Sequence, residues 1–402
     1  MSINYKELAD KYQTPFYAYD FDHITQQYTE LKEAFRARKS LLAYAVKANS
    51  NLSVVKHLAE QGAGADCVSI GEVKRALKVG IAPYKIIFSG VGKIDDEIRQ
   101  ALELDILMIN VESEAELDRV EVIAKELGKE ARISVRVNPN IDPKTHPYIS
   151  TGLHENKFGV DIDTAKRMYI KCKNSENLDA IGIHCHIGSQ LTELEPIKES
   201  INIVADLVRN LKAIKMEISF FDVGGGLGIV YDDETLIDTK EYGQVIMEAL
   251  FGLDITVVCE PGRFLVGNSG TFITKVLYEK INGDKRFVIV DGAMNDLIRP
   301  SLYNAYHKIE VLEKSENASD CNLVGPVCES GDFFAKNIEL PATEHNDLVA
   351  IYSAGAYCFT MASNYNTRGK VAEIAIENGK DRLIRKREIF EDLIALEEEY
   401  IK

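Results

Sequence analysis

Several features that would place a chain in a particular class are missing from this sequence. No run approaches the roughly 18 uninterrupted apolar residues of a membrane helix, and residues 1–20 contain no apolar segment of the secretory kind. Lys and Arg number 47 against 63 Asp and Glu, a net charge of −16, which argues against binding to a phosphate backbone. We therefore expect neither a membrane nor a nucleic acid as partner.

The cysteines lack the arrangement of a disulfide framework or of a zinc site. There are seven, they are scattered, and none belongs to a Cys-x-x-Cys pair. An odd number at irregular spacing is typical of reduced thiols. The sequence thus predicts a cytoplasmic protein.

What the sequence does contain is a long alternation of apolar runs and amphipathic helical patterns. With 402 residues, 46% of them hydrophobic, the chain can form two domains. Eight strands alternating with helices predict an α/β fold, the (β/α)₈ TIM-type barrel. A doubly wound open sheet competes, but it would normally carry its glycine-rich turn after the first strand. The predicted strands are 41–47, 64–69, 85–89, 105–110, 132–138, 180–188, 219–224 and 255–260.

The pattern changes after residue 263, where strand-like runs follow one another without long helices. They lie at 270–278, 286–291, 308–312, 322–328 and 347–352, and the run at 15–19 could join them. This predicts a mainly antiparallel β-sandwich or barrel, closed by a helix at 387–401. We therefore predict a barrel domain at 26–262 and a β domain made of 1–25 with 263–402. Residues 140–157, rich in Pro, His and Lys, are a candidate lid.

Polar side chains stand at the carboxyl ends of the predicted barrel strands, where such barrels bind ligands. Lys47 ends the first strand. A lysine partly removed from water can lose its proton and form a Schiff base with an aldehyde. The alternative is a lysine that covers apolar surface and keeps its ammonium in water. The Schiff-base interpretation is favoured because polar residues also end nearly all of the remaining strands.

The sixth predicted strand leads into His186, followed by Ser189. His184 and His186 share a face of that strand, yet the spacing supplies no third ligand, so we predict no metal. An imidazole stacked on a flat aromatic cofactor suits His186 better, with Ser189 on the phosphate of that cofactor. For His184 a satisfied core histidine is the favoured interpretation.

A glycine-rich turn with the sequence DVGGGLG follows the seventh predicted strand, at 222–228. The backbone N–H groups around Gly225 and Gly226 are unshielded by side chains and would suit a phosphate. Phosphate sites of these barrels favour the last two loops. A bulged or flexible turn is the alternative.

The segment Glu260, Pro261, Gly262 and Arg263 closes the eighth predicted strand. A carboxylate beside a phosphate would be destabilised unless it faces a cation, and a protonated pyridine nitrogen is such a cation. The alternative is a surface pair of Glu260 with Arg263. A lysine for an aldehyde, a glycine turn for a phosphate, a histidine for a ring face and a carboxylate for a ring nitrogen together describe pyridoxal 5'-phosphate.

The predicted β domain offers further candidates. Cys328 ends an apolar run beside Glu329, and a thiol there could donate a proton to a carbanion, although most isolated cysteines are buried filler. Arg299, Tyr303 and Tyr357 stand in predicted loops, where they could bind carboxylates or phosphate or simply anchor the loops.

Seven segments, in order, resemble the diaminopimelate decarboxylase family, within the alanine-racemase-like class of pyridoxal-phosphate enzymes. Each is weak alone, but seven in register are highly specific and span nearly the whole chain. They are YAVKAN (44–49), CHIGSQ (185–190), DVGGGLG (222–228), EPGR (260–263), RPSLY (299–303), GPVCESGD (325–332) and SAGAY (353–357).

The resemblance implies a role for each of these residues. Lys47 would carry the cofactor, His186 would stack on its ring and Cys328 would donate a proton. Cofactor contacts would come from Lys47, His186, Ser189, Gly225, Gly226, Glu260, Pro261, Gly262, Arg263 and Tyr357. Substrate contacts would come from Arg263, Arg299, Tyr303, Glu329 and Tyr357. In this family the segment around Cys328 comes from the other subunit, which implies a homodimer with shared active sites.

The implied reaction is the decarboxylation of meso-diaminopimelate to L-lysine and CO₂, the last step of lysine biosynthesis. The nearest alternatives act on ornithine, arginine or carboxynorspermidine, and the ornithine type has Cys-Asp where this chain has Cys328-Glu329. A racemase would need two opposed bases, typically a lysine and a tyrosine. A regulatory relative would not be expected to retain Lys47, Glu260 and Cys328, and a metal-dependent barrel hydrolase would leave Lys47 unexplained.

Overall fold

The structure, a computed structural model, describes residues 3–142 and 157–401. Most of the candidate lid at 140–157 therefore lies outside the described residues. The described chain separates into two compact units. The barrel unit comprises Thr25–Ile229 and Thr235–Leu265, and the β unit comprises the other described residues, including Val230–Glu234.

Strands and helices are numbered along the chain. The strands are β1 (Phe16–Asp20), β2 (Ser40–Ala45), β3 (Gly64–Cys67), β4 (Ile86–Phe88), β5 (Met108–Val111), β6 (Ala131–Arg136), β7 (Leu178–His184), β8 (Phe220–Asp222), β9 (Thr256–Cys259), β10 (Gly270–Asn282), β11 (Lys285–Val290), β12 (Ile309–Val311), β13 (Ser319–Val324), β14 (Phe333–Leu340), β15 (Leu348–Ile351), β16 (Ala372–Glu377) and β17 (Lys380–Arg385). The helices are α1 (Tyr5–Tyr12), α2 (Phe21–Ala34), α3 (Leu52–Glu60), α4 (Ile70–Lys78), α5 (Asp95–Glu103), α6 (Glu114–Leu127), α7 (Ile162–Lys173), α8 (Leu194–Ala213), α9 (Thr239–Ala249), α10 (Arg263–Val266), α11 (Arg299–Tyr303) and α12 (Phe390–Ile394).

The barrel unit is built on a closed parallel barrel of eight strands, β2 to β9 in chain order. The predicted barrel is therefore confirmed, and each predicted strand overlaps an observed one. Closure comes from pairing of the first and last strands, with Leu42 opposite Cys259. A cluster of buried apolar side chains fills its interior, made of Ala43, Ile87, Leu107, Met108 and Val258. Because a parallel strand is covered on both faces, its sequence is an apolar run without alternation.

Helices join successive barrel strands and begin and end at recognisable signals. The Ser113 side chain accepts from the backbone N–H of Glu116 at the start of α6, and Gly128 ends that helix with φ of 61°. Ser69 caps α4 in the same way. These caps satisfy backbone groups that the helix itself leaves unpaired.

The β unit contains a sheet of nine strands, ordered β14-β13-β11-β10-β1-β16-β17, with β15 on β10 and β12 on β15. It is mainly antiparallel, as predicted, with parallel pairs at β1–β16 and β11–β13. The strand-like run near residue 16 is β1, and it lies in the middle of the sheet. Its core includes Phe16, Ala18, Ile273 and Ile374, all buried.

Two predictions for this unit are wrong. The predicted strand 322–328 ends at Val324 as β13, so Cys328 lies in a loop. The predicted closing helix at 387–401 is reduced to the five residues of α12 and a 3₁₀ turn at Glu398–Tyr400. Its apolar residues Leu396 and Ile401 remain exposed, so no buried face stabilises a longer helix. Among the described residues, no helix has the length and apolar character that crossing a membrane requires.

Candidate active site

Lys47 stands directly after the first barrel strand. The side chains of β2 from Leu42 to Ala45 are buried, and Lys47 follows on a single 3₁₀ turn, Val46–Ala48. Its Nζ donates to Oδ2 of Asp66 at 2.7 Å, and Asp66 is completely buried at the end of the neighbouring strand. Burial, followed by the charge of Glu260, raises the pKa of Asp66, while Lys47 opposes this shift. The lysine is therefore anchored by a carboxylate that has no contact with water.

Glu260 directly follows β9 and lies in a buried polar cluster. His184 Nε2 is 3.3 Å from Oε2 of Glu260. One ligand-type atom each of His184, Asp222 and Glu260 lies within 4.8 Å of the others. They meet because β7, β8 and β9 are parallel neighbours, and His184 is the register partner of Asp222. Parallel strands that end together bring their last side chains into one place.

The charges in this cluster are divided unequally. Burial, followed by the charge of Glu260, raises the pKa of Asp222 well above its usual range. Burial alone would also raise the pKa of Glu260, but its interactions with His184 and Lys47 lower it overall. The surroundings therefore shift the pKa values of these two neighbouring carboxyl groups in opposite directions.

The glycine turn is packed closely against other backbone segments. A Cβ at Gly225 would lie 2.1 Å from the carbonyl oxygen of Glu260, and one at Gly226 would lie 2.4 Å from that of Gly188. Gly226 also has φ of 114°, which side chains disfavour. Glycine is therefore required at both positions, and the turn reaches the end of β9 through it.

His186 and Ser189 follow β7 and contact this same region. The backbone N–H of Gly225 donates to Nδ1 of His186 at 3.2 Å. Burial, then the charge of Arg136, lowers the pKa of His186 well below its usual value, so the ring is neutral. Arg263, buried at the start of α10, donates to Ser189 Oγ through Nη2 at 3.1 Å and Nε at 3.3 Å.

The segment between Glu260 and Arg263 is tied to the first strand. The N–H of Ala45 donates to the carbonyl of Pro261 at 3.1 Å, two residues before Lys47. Pro261 and Gly262 are buried. The barrel unit therefore brings together the lysine, the histidine, the serine, the glycine turn and the Glu260–Arg263 segment, as predicted from their positions at strand ends.

Arg299 and Tyr303 lie at the two ends of the short helix α11 in the β unit. Arg299 is buried, with its guanidinium 5.2 Å from the ring centroid of Tyr231. Ser301 on the same helix donates to the carbonyl of Gly331 at 2.5 Å. The structure thus joins α11 to the loop that carries Cys328.

Cys328 and Glu329 are exposed in that loop. Asp332 fixes the base of the loop, because its carboxylate accepts from the N–H groups of Met294 at 2.7 Å and Val327 at 2.6 Å. The N–H of Cys328 donates to Oδ1 of Asn366 at 3.1 Å. The prediction that the Cys328 thiol ends a strand is wrong, because β13 ends at Val324. The thiol lies instead in the loop that follows, where it is exposed.

Tyr357 lies on the loop after β15, with φ of 58°. It is half-buried, and its neighbours Ala356 and Cys358 are buried. The loop is held where a Cβ at Gly355 would lie 1.7 Å from the carbonyl of Val266. The SAGAY segment therefore needs its small residues for backbone packing, and Tyr357 is its first large side chain.

Three polar residues at the site were given little or no role from sequence. His184, interpreted from sequence as a satisfied core histidine, is buried, and its Nε2 lies 3.3 Å from Oε2 of Glu260. Asp66 and Asp222 were only strand-end acids. The signal that could have found them is their position at the last residues of parallel strands, next to Lys47 and Glu260.

Comparison with known families agrees with this geometry. The profile of the family described as "Pyridoxal-dependent decarboxylase, pyridoxal binding domain" matches residues 21–267. That range is more than half of the chain and contains every site residue of the barrel unit. The chain is thus of the class of pyridoxal-phosphate-dependent decarboxylases, which are carboxy-lyases.

Individual relatives narrow the class. The diaminopimelate decarboxylase of Campylobacter jejuni is 60% identical over 401 residues, covering 100% of both chains, and that of Aquifex aeolicus is 45% identical over 394 residues, covering 98% of this chain and 93% of the other. The crystal structure of the Helicobacter pylori diaminopimelate decarboxylase complexed with L-lysine matches with a TM-score of 0.96 at 56% identity, covering 99% of this chain and 100% of that one. The chain belongs to the diaminopimelate decarboxylase family. These identities favour that family over the polyamine-type alternatives.

The residues of the barrel unit fit pyridoxal phosphate. Glu260 Oε1 is buried and has no hydrogen-bond partner within the described residues, so a carboxylate oxygen is available for a cationic ring nitrogen. Arg263 and Ser189 supply donors suited to a phosphate. Lys47 supplies the amine that an aldehyde requires.

Proposed function

We propose that this chain decarboxylates meso-diaminopimelate to L-lysine and CO₂ with pyridoxal phosphate as cofactor. The observation that carries the proposal is the pair of Lys47 with Asp66, 2.7 Å apart at the carboxyl end of the barrel. A lysine anchored by a buried acid next to a second, anionic carboxylate is the arrangement that this cofactor needs. The relatives named diaminopimelate decarboxylase support the choice of substrate.

The barrel unit holds the cofactor in this proposal. Lys47 would supply the amine for the cofactor aldehyde, and Asp66 would accept a hydrogen bond from the lysine whenever its ammonium group is free. Arg263, Ser189 and the N–H groups around Gly225 and Gly226 hold the phosphate, with Pro261 and Gly262 shaping the segment. The remaining ring contacts come from His186, which is neutral, and Glu260, which is anionic.

When bound, pyridoxal phosphate supplies a ring that accepts the electron pair left behind by departing CO₂. The protein must orient the carboxylate that leaves, because loss of CO₂ needs no base. Glu260 keeps the ring nitrogen charged. Cys328 then gives its proton to the carbon that lost CO₂, and solvent restores the thiol.

In this proposal the β unit binds the distal end of the substrate. Arg299 and Tyr303 bind its distal carboxylate, Glu329 binds its distal ammonium, and Tyr357 contacts both cofactor and substrate. The exposure of Cys328 and Glu329 supports the further proposal that their loop completes the site of a second copy, in a homodimer. The seven free cysteines support a cytoplasmic location.

The test is release of CO₂ by purified protein with pyridoxal phosphate and four substrates: meso-diaminopimelate, L-ornithine, L-arginine and carboxynorspermidine. We expect meso-diaminopimelate to be preferred, with L-lysine as product. Lys47→Ala should lower turnover by at least about a thousandfold and abolish the Schiff-base absorbance, whereas Lys74→Ala, an exposed lysine on α4, should change neither. Preference for another amine would overturn the substrate, and an unchanged spectrum in Lys47→Ala would overturn the role of the lysine.

A further inference from the structure

Four carboxyl groups are buried at the carboxyl end of the barrel, those of Asp66, Glu112, Asp222 and Glu260, and Glu112 accepts from Arg136 at 3.1 Å. Asp66 is accounted for by its hydrogen bond to Lys47 at 2.7 Å. The other two lie side by side, and burial of two like charges in one site is strongly unfavourable. The question is which of them carries a proton.

Asp222 has no cation bonded to it in the part of the chain that the structure describes. Its Oδ1 accepts from the backbone N–H of Gly224 at 2.9 Å. Its Oδ2 is buried without a hydrogen-bond partner within the described ranges, and so is Oε1 of Glu260. Two orphaned oxygens on neighbouring carboxyl groups need one proton between them.

The basic side chains lie on the side of Glu260. His184 Nε2 is 3.3 Å from Oε2 of Glu260, and the charge of Lys47 also favours the ionised form of this group. Asp222 receives no comparable help, and burial raises its pKa well above the usual range. The shared proton therefore belongs on Asp222.

We propose that Asp222 is held as the neutral acid and donates a hydrogen bond to Glu260, so that the pair carries a single negative charge. Asp222 is then a positioning residue. It holds the Glu260 carboxylate together with His184, which lies 3.3 Å from Oε2, and leaves the second lone pair of Oε1 available. This proposal depends on the proposed function in one respect only, namely that the available oxygen of Glu260 binds the cofactor ring nitrogen.

The surroundings of Asp222 support this assignment. The titratable groups that face it come from four different elements or their ends, and none of them bonds to it as a cation: Asp66, His184, Cys185, Tyr242, Cys259 and Glu260. Most of these are acids or thiols that disfavour a second negative charge. Only His184 can carry a positive charge, and it contacts Glu260.

Infrared spectroscopy of the cofactor-free protein tests the protonation state directly. At about pH 8 we expect a carboxylic acid C=O band that shifts in D₂O and disappears in Asp222→Asn. Asp296→Asn is the matched control, because the pKa of that buried acid is raised by burial only to about 6, so it is ionised at this pH. Absence of any band that depends on Asp222 would overturn the proposal.

Cofactor affinity, measured by absorbance, gives the second readout. Asn at position 222 keeps a donor toward Glu260 and an acceptor for Gly224, but cannot ionise. We expect Asp222→Ala to weaken binding of pyridoxal phosphate by about tenfold or more, the value of a hydrogen bond to a charged group, and Asp222→Asn to restore most of that loss. If Asn is as damaging as Ala while both variants keep the wild-type circular dichroism, Asp222 is ionised and the proposal fails.

These outcomes are separable from those of the proposed function. The infrared band requires neither substrate nor cofactor, so a wrong substrate would leave it in place. A stoichiometric divalent cation that is removed by a chelator, together with loss of the band, would instead mean that the three groups bind metal and would overturn the shared proton.

Discussion

The two units present their polar groups in opposite ways. At the barrel end, Lys47 is paired with Asp66 and His184 with Glu260, and the acids Asp66, Asp222 and Glu260 are buried. In the β unit, Cys328 and Glu329 are exposed on a loop whose base is fixed by Asp332. The barrel site is preorganised by its own contacts. The base of the loop is fixed in the same way, but the side chains of Cys328 and Glu329 are exposed.

The largest effect that would test this contrast is expected at Cys328. Cys328→Ala should reduce turnover by about a hundredfold, because proton transfer by a positioned group contributes on that order. Ser330→Ala changes an exposed neighbour in the same loop and should have little effect.

Mixed dimers show whether the loop serves a second copy. Chains carrying Lys47→Ala and Cys328→Ala, coexpressed, should recover about one quarter of the wild-type rate, because one site in each mixed dimer is intact. No recovery, in dimers shown to be mixed, would mean that each chain uses its own Cys328 and would break the contrast.

A buried acid of the β unit gives the next effect. Asp296 accepts from the N–H of Ala293 at 3.0 Å, and Arg368 lies 3.7 Å away. Burial nevertheless raises its pKa to about 6. The folded state thus holds a proton that the unfolded state has already released, so this contribution to stability is present at low pH and is lost as pH rises through 6.

The measurement is urea unfolding of wild type and Asp296→Asn between about pH 4 and pH 7.5. Relative to the variant, the wild type should lose roughly 3 kcal/mol of unfolding free energy over this range. Asp320→Asn, at an exposed position of the same unit, should follow the wild type. A difference between wild type and Asp296→Asn that does not vary with pH would contradict the raised pKa.

The smallest expected effect concerns the glycine turn of the barrel. Gly225→Ala would set a Cβ 2.1 Å from the carbonyl oxygen of Glu260, which should cost about 1–3 kcal/mol of stability by overpacking and also weaken cofactor binding. Gly92→Ala, where nothing lies within 4 Å of the added atom, is the matched control. Thermal unfolding and cofactor titration of both variants would check this. Equal stability and equal cofactor affinity of the two variants would show that the turn can shift to accommodate the added Cβ.

The fold was largely predictable because buried parallel strands are apolar runs at regular intervals. The same logic found Lys47 and Glu260, which directly follow such runs. This inference failed where the neighbours of a residue are set by the register between adjacent strands. His184 and Asp222 are partners across β7 and β8, and no local pattern states that pairing. Cys328 was placed on a strand because Pro326 and Val327 prolong the apolar run, although backbone pairing stops at Val324.

The position of β1 has a consequence for synthesis of the chain. This strand is made first, yet its sheet partners are β10, which begins at Gly270, and β16, which ends at Glu377. Residues 16–19 are completely or almost completely buried once paired. On the ribosome they must therefore wait, unpaired and apolar, while most of the chain is translated, the kind of exposure that favours aggregation. Expression yield of this protein should thus depend on chaperones more than the regular, sequential barrel alone would require.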